Sequence, residues 1–318
     1  MALPEILTRQ LALPVVASPM FIASGPELVI AQCQAGIIGS FPALNARPAS
    51  ELTHWLTRID AELAAFAAEH PDRPVAPYAV NQIVHRSNDR LEADMETVVA
   101  HEVPIVITSL GARVDINEAI HSYGGIVLHD VINNEFARKA VDKGADGLIA
   151  VAAGAGGHAG TQSPFALVQE IRTWFDGPLL LSGAIAHGRS ILAAQAAGAD
   201  FAYVGSAFLA TTEANNEPAY KQMIADSRAA DIVYSNLFTG VHGNYLRGSI
   251  TAAGLDPDDL PVSDPSAMNF GSGGSAKAWK DIWGAGQGIG AIQDVVSTSD
   301  LVQQLTAEYE DARTRLLA

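Results

Sequence analysis

The chain is almost without cysteine. Its single thiol, Cys33 among 318 residues, excludes an internal disulfide and any zinc or iron–sulfur centre built on cysteines. Cys33 falls in an apolar helical pattern, which marks it as buried and unreactive. Basic residues are also short: 19 Lys and Arg face 35 Asp and Glu, for a formal charge of −16. A surface of that sign repels phosphates, so no nucleic acid and no anionic membrane face is expected as a partner; otherwise the charge serves solubility. No run reaches the ~18 apolar residues of a membrane helix. The opening Met-Ala-Leu-Pro-Glu lacks a basic region followed by a long apolar stretch, so no signal peptide is expected and the expected location is cytoplasmic.

Several catalytic kits are missing as well. There is no Gly-x-Ser-x-Gly elbow, no His-Glu-x-x-His and no Gly-x-x-x-x-Gly-Lys-Ser/Thr. No lysine stands at the end of an expected strand, which counts against Schiff-base chemistry. Only His129-Asp130 pairs potential metal ligands, too few for a metal site.

What is present is a long alternation. Hydrophobic residues make up 48% of the chain and charged ones 17%, which describes a compact protein with a large core. Strand-like runs at 13–19, 36–41, 75–80, 104–108, 125–128, 148–151, 179–181 and 201–204 are separated by helical patterns. The clearest helix follows Ser50, where Leu52, Trp55, Leu56, Ile59, Leu63 and Phe66 recur at helical spacing. Others are expected at 26–35, 88–101, 135–143, 164–175 and 188–197, the last stopped by Gly198. Lys143-Gly-Ala-Asp-Gly147 and Ala197-Gly-Ala-Asp-Phe201 both mark a helix end passing into a strand. Eight such units in about 200 residues predict an α/β fold, a (β/α)8 TIM barrel spanning 1–210. Residues 211–290 break the rhythm. They read as a loop-rich, partly helical insertion over the barrel mouth, or as a separate small domain. The insertion has Gly/Ser/Pro/Asp-rich connections at 256–264 and 271–275. Its Trp279 and Trp283 would suit an interface in a homodimer. A final helix within 291–318 should pack on the barrel exterior.

The stretch 146–160, Asp-Gly-Leu-Ile-Ala-Val-Ala-Ala-Gly-Ala-Gly-Gly-His-Ala-Gly, draws most of the chemistry. A buried strand empties into a glycine-rich turn carrying one imidazole, His158, at the face where barrel enzymes keep their sites. Glycines at 154, 156, 157 and 160 let backbone approach a flat or anionic ligand. Gly183 and Gly205 follow the next two strands, at the usual phosphate position of this fold, with the Ser206 hydroxyl beside them. Three adjacent glycine-lined strand ends suggest a phosphorylated cofactor across the mouth. Gly154–Ala159 also matches the dinucleotide fingerprint, but no helix follows directly and the strand is the sixth, so that match is set aside. Gly286-Gln-Gly-Ile-Gly290 reads as a lid turn presenting Gln287. Of nine histidines, His54, His70, His85, His101 and His121 fall away from strand ends, and His187 begins a helix. His129 ends the fifth strand, and His242 could reach the mouth from the insertion. His158 is favoured as a general base because its glycine neighbours should leave the ring uncrowded.

Ser18-Pro19-Met20 after the first strand, Asn81 after the third, Gly-Ala-Asp-Gly followed by Ala-Gly-Gly-His-Ala-Gly, Ser182-Gly183 and Gly205-Ser206 resemble the nitronate monooxygenases, formerly called 2-nitropropane dioxygenases. The resemblance covers residues 10–212, and Gly286-Gln287 extends it. It implies FMN held without a covalent bond at the C-terminal face. Gly183, Ala184, Gly205 and Ser206 would hold its phosphate, Met20, Asn81 and His129 would lie near the ring, and Gly154, Gly156, Gly157 and Gln287 would run alongside. His158 would take the proton from the carbon bearing a nitro group. The nitronate would then be oxidised through flavin by O2 to a carbonyl compound and nitrite. This chain departs from the family where Ala207 stands in place of an arginine, and where Asp130 stands in place of a lysine that some members carry. Two other readings share the barrel: an FMN-dependent NAD(P)H:quinone or enoyl reductase, and a flavin-binding protein without turnover.

Overall fold

The computed structural model describes residues 3–8, 11–263 and 281–318. In chain order its first nine strands are β1 (Val15–Ala17), β2 (Gly39–Pro42), β3 (Tyr78–Ile83), β4 (Ile105–Ser109), β5 (Ile126–Val131), β6 (Gly147–Val151), β7 (Gly157–His158), β8 (Leu179–Ser182) and β9 (Phe201–Val204). All but β7 form one parallel sheet in the order β1-β9-β8-β6-β5-β4-β3-β2. A parallel bridge from Val16 to Ile38, just before β2, joins its two edges. The fold is therefore a (β/α)8 TIM barrel.

Burial on both faces explains why these strands read as continuous apolar runs. Alternate side chains divide into two layers. Val16, Ile38, Ile105, Ile107, Leu128, Ile149, Leu180, Phe201 and Tyr203 fill the barrel interior. Val80, Val106, Val127, Leu148, Ala150, Leu181, Ala202 and Val204 pack outward beneath the helices. A short N-terminal helix, α1 (Glu5–Thr8), adds Leu7 to the interior cluster.

The connecting helices are α2 (Pro26–Gln34), α3 (Glu51–Glu69), α4 (Leu91–Ala100), α5 (Val114–His121), α6 (Asn134–Asp142), α7 (Pro164–Arg172) and α8 (Gly188–Ala197), with a four-residue α9 (Ser206–Leu209) after β9. In α3 the buried positions are Leu52, Leu56, Ile59 and Leu63, the stripe that its spacing predicts. Asn133 caps α6, its side-chain oxygen accepting from Phe136 N at 2.9 Å. Two short helices escape the sequence pattern. In α5 only Ile116, Asn117 and Ile120 are buried, and α9 has a single turn.

After α9 the chain forms α10 (Pro218–Asp226), an antiparallel hairpin of β10 (Ile232–Ser235) and β11 (Gly243–Leu246), and α11 (Arg247–Ala252). Tyr245, Ile250 and Ile282 make a separate apolar cluster there, backed by Val233, Phe238 and Leu260. The expected connection at 271–275, Asp264 and Trp279 lie outside the described residues, while Trp283 stacks on Tyr220 at 4.9 Å. The C-terminal helix, Thr298–Leu317, lies against α8 so closely that Gly188 has no room for a Cβ beside Tyr309 N. Tyr309 OH donates to Gln195 Oε1 at 2.6 Å, and Gly188 N donates to Glu308 Oε2 at 2.8 Å.

Candidate functional site

The C-terminal strand ends carry a polar layer over the apolar interior. Asn81, on β3, donates from Nδ2 to Ile107 O at 3.0 Å and to Ser109 Oγ at 2.7 Å. Ser109, at the end of β4, donates in turn to Asp130 Oδ2 on β5 at 2.6 Å. Asp130 Oδ1 is buried and has no hydrogen-bond partner. Burial pushes this carboxyl up to about 6, against the opposing pull of the Ser109 hydrogen bond. Tyr203, on β9, is buried near Ser18. Its phenol is held well above the usual range, first by burial and then by the charge of Asp130.

His129 is not part of this layer. It is one residue from Asp130, so its side chain leaves the strand on the opposite face. It is 6% exposed, and its Nδ1 lies 2.6 Å from Thr108 Oγ1 between the strands and the outer helices. Burial, followed by the charge of Lys143, pushes its imidazole down to about 4. The outward placement separates His129 from Met20, Asn81 and the glycine turns with which the family resemblance groups it. Strand parity carried the signal: Ile126 and Leu128 belong to the interior cluster, and Asp130 continues their face.

The three glycine-bearing strand ends do come together. Gly154 takes φ +85° and its carbonyl accepts from both Ala184 N (3.2 Å) and Gln287 N (2.9 Å). At Gly156 a Cβ would lie 2.8 Å from Gly286 N and 3.1 Å from Ser206 Oγ, and Gly286 N donates to that same hydroxyl at 2.8 Å. At Gly183 (φ +144°) it would lie 2.8 Å from Ala153 O. Gly205 faces Ser18 and Met20, with 3.8 Å from its Cβ position to Met20 Sδ. Ala184 holds φ +55°, a conformation that favours glycine. Gly156 and Gly286 are small because two backbones cross there, and the 284–287 turn is one of them.

His158 is also placed differently from the uncrowded ring expected. Gly157–His158 forms β7, which pairs antiparallel with β11, matching Gly243 to His158 and Asn244 to Gly157. The hairpin is pinned further by Asn244 Nδ2 donating to Ala155 O at 2.7 Å and Tyr234 OH donating to Ala159 O at 3.0 Å. His158 is half-buried, with Nε2 3.1 Å from Thr239 Oγ1. Thr239 in turn donates its hydroxyl proton to Val241 O at 3.0 Å and accepts from Val241 N at 3.3 Å, which anchors it beside the ring. Burial pushes this imidazole down to about 4, which keeps it neutral at physiological pH. His242 is exposed and stacks on Tyr234 at 5.0 Å. Sequence reasoning missed Ser109, Tyr203, Thr239 and Asn244 as parts of this site. Thr239 lies 81 residues from His158, and no local pattern joins them.

Among the described residues there is no group of three or more metal-ligating side chains, and no helix is long and apolar enough to cross a membrane. Fold and site together define a barrel protein whose polar and glycine-rich strand ends gather at the C-terminal mouth, under a hairpin inserted after the last strand. The family model for nitronate monooxygenase matches residues 5–308. The chain belongs to the nitronate monooxygenase family, a family of flavin-dependent oxidoreductases. It is 28% identical over 243 residues to the monooxygenase Rv1533 of Mycobacterium tuberculosis, covering 72% of this chain and 65% of that one, just under two thirds of its length. It is 26% identical over 347 residues to the nitronate monooxygenase of Paraburkholderia phytofirmans, covering 95% and 94%. Among solved structures, the nitroalkane oxidase of Streptomyces ansochromogenes shares the fold with a TM-score of 0.81 at 24% identity, covering 96% of this chain and 97% of the other.

Proposed function

We propose that this protein is an FMN-dependent nitronate monooxygenase that oxidises nitronates and nitroalkanes with O2 to carbonyl compounds and nitrite. One observation supports the reading most: the His158 imidazole, 3.1 Å from Thr239 Oγ1, sits on the glycine-rich segment whose turn packs against the turns that follow β8 and β9. The residues present fit a flavin. An unpartnered buried carboxyl oxygen, Asp130 Oδ1, stands at the mouth for a ligand with a polar edge. The neighbouring turns approach one another closely enough that a Cβ at Gly156 or Gly183 would meet backbone within 2.8 Å.

Gly183, Ala184, Gly205 and Ser206 would hold the phosphate, mainly through backbone amides, since no lysine or arginine falls in either turn. Met20 and Asn81 would lie beside the ring, and Gly154, Gly156, Gly157 and Gln287 would border it. Bound there, FMN supplies the electron acceptor between nitronate and O2. The chain's own residues do the rest. His158 takes the proton from the carbon bearing the nitro group, and the Thr239 contact at Nε2 orients the ring for that transfer. The hairpin and its apolar cluster act as a lid that limits water at the base. A ready-made nitronate has lost this proton already and needs no base.

The test is direct. The purified protein should be yellow or take up FMN. Mixed without oxygen, it should reduce its flavin with propyl-2-nitronate and ignore NADH. Bleaching by NADH alone would move it to the reductases. A colourless protein that takes up no FMN would overturn both readings.

A further inference from the structure

Asp130 has no part in the chemistry assigned to His158, yet it is the buried carboxyl of the mouth. From β4 it receives the Ser109 hydroxyl, and from β3 Asn81 stands behind Ser109. On β6 its register partner is the apolar Ile149, and from β9 it feels the phenol of Tyr203, near Ser18 of the loop after β1. Tyr203 is the titratable neighbour, and among the described residues no Lys, Arg or His forms an ion pair with Asp130.

The direction of the hydrogen bonds decides where a proton can go. Asn81 donates to Ser109, and Ser109 donates to Oδ2, so Oδ2 is committed as an acceptor. A proton taken up from water therefore forms its O–H bond on Oδ1, the atom with no partner. Resting on the flavin reading above, we propose that Asp130 is a second proton-exchanging group of this site: its neutral form donates from Oδ1 to a hydrogen-bond acceptor on the edge of the bound flavin ring, and its ionised form does not. Burial supports the assignment, since it brings the carboxyl to about 6, where both forms are accessible near neutral pH. Ionised, Oδ1 would turn a negative charge on the electron-rich ring edge, with no ion pair among the described residues to offset it.

The proposal is tested on apo-protein and on FMN binding, in wild type, Asp130→Asn and Ser109→Ala. In the apo-protein, infrared difference spectra between pH 5 and 8 should show a protonated-carboxyl band that is lost in Asp130→Asn. In Ser109→Ala the same band should persist to higher pH, because the bond favouring the ionised form is gone. FMN affinity in wild type should fall on going from pH 5 to 8. Each unit by which binding raises the carboxyl's pKa gives a factor of ten, and a loss of at least about tenfold is expected. Asp130→Asn, whose amide can donate from the same place at every pH, should lack this component. The phosphate of FMN titrates in the same window but contributes equally to both proteins, so their difference is the readout. Identical pH profiles in wild type and Asp130→Asn, or no titrating band assigned to Asp130, would overturn the proposal. If no protein bound FMN at any pH, the flavin reading would fall, and the infrared band would still decide the site of the proton.

Discussion

Replacing Asp130 by Asn should make the protein more stable at pH 8 and leave its stability nearly unchanged at pH 4. The carboxyl's folded-state pKa lies above its unfolded value, at about 6, with burial as the main cause. Such a group contributes stability that is fully present below the unfolded pKa and lost as pH rises through the folded one. Above pH 6 the folded chain therefore carries an ionised carboxylate that the unfolded chain would hold more comfortably in water. Moving a carboxyl from its ordinary value to about 6 corresponds to about 3 kcal/mol. The Ser109 bond and local relaxation reduce what is recovered, so a gain on the order of 1–3 kcal/mol at pH 8 is expected. Asparagine keeps the shape, can accept from Ser109 through its carbonyl oxygen, and carries no charge. Urea unfolding of both proteins at pH 4, 6 and 8 reads the effect as a midpoint difference that grows with pH at constant slope. A difference independent of pH, or a loss at pH 8, would refute the reasoning. A gain would mark Asp130 as a residue kept at the expense of stability, as functional groups often are.

Three further outcomes are expected. His158→Asn should lower kcat/KM for neutral nitroalkanes by about 10²–10⁴ and largely spare preformed nitronates, since only the former need a base; equal losses in steady-state oxygen uptake would show that His158 is not chiefly a base. Gly156→Ala should destabilise by about 1–3 kcal/mol in thermal unfolding, because its Cβ would meet the backbone of Gly286 and Ala285 rather than a side chain that can swing away. His129 should make the fold acid-labile: its depressed pKa means that stability holds above the unfolded value near 6.5 and is lost as pH falls toward about 4. His129→Gln should flatten that loss, and an unchanged slope of stability between pH 6.5 and 4 would count against it.

Much of the barrel was legible in the chain because its signals are local. The alternation of apolar runs with helical stripes located all eight barrel strands, and Leu52, Leu56, Ile59 and Leu63 identified the face that α3 buries. The helix α5 was not legible, since eight residues with apolar anchors at Ile116 and Ile120 make too short a stripe. At the site, the glycine turns and His158 stood out by composition, and the structure does bring the turns together. Their reason did not stand out, because the crossing of Gly156 and Gly286 joins segments that are far apart in sequence.

The sequence by itself determined the layered barrel, the chain order of its strand ends and the residue types available at the mouth, all of which follow from periodicity along the chain. Parity along β5 puts Asp130 and His129 on opposite faces, but both faces are apolar and buried, so only closure of the sheet into a barrel decided that Asp130 faces inward and His129 toward the helices. Tertiary structure also decided the setting of His158. The two residues of β7 have no periodicity of their own, and become a strand only because β11 supplies a hydrogen-bonding edge. Thr239 is within reach of the imidazole only once that hairpin has docked.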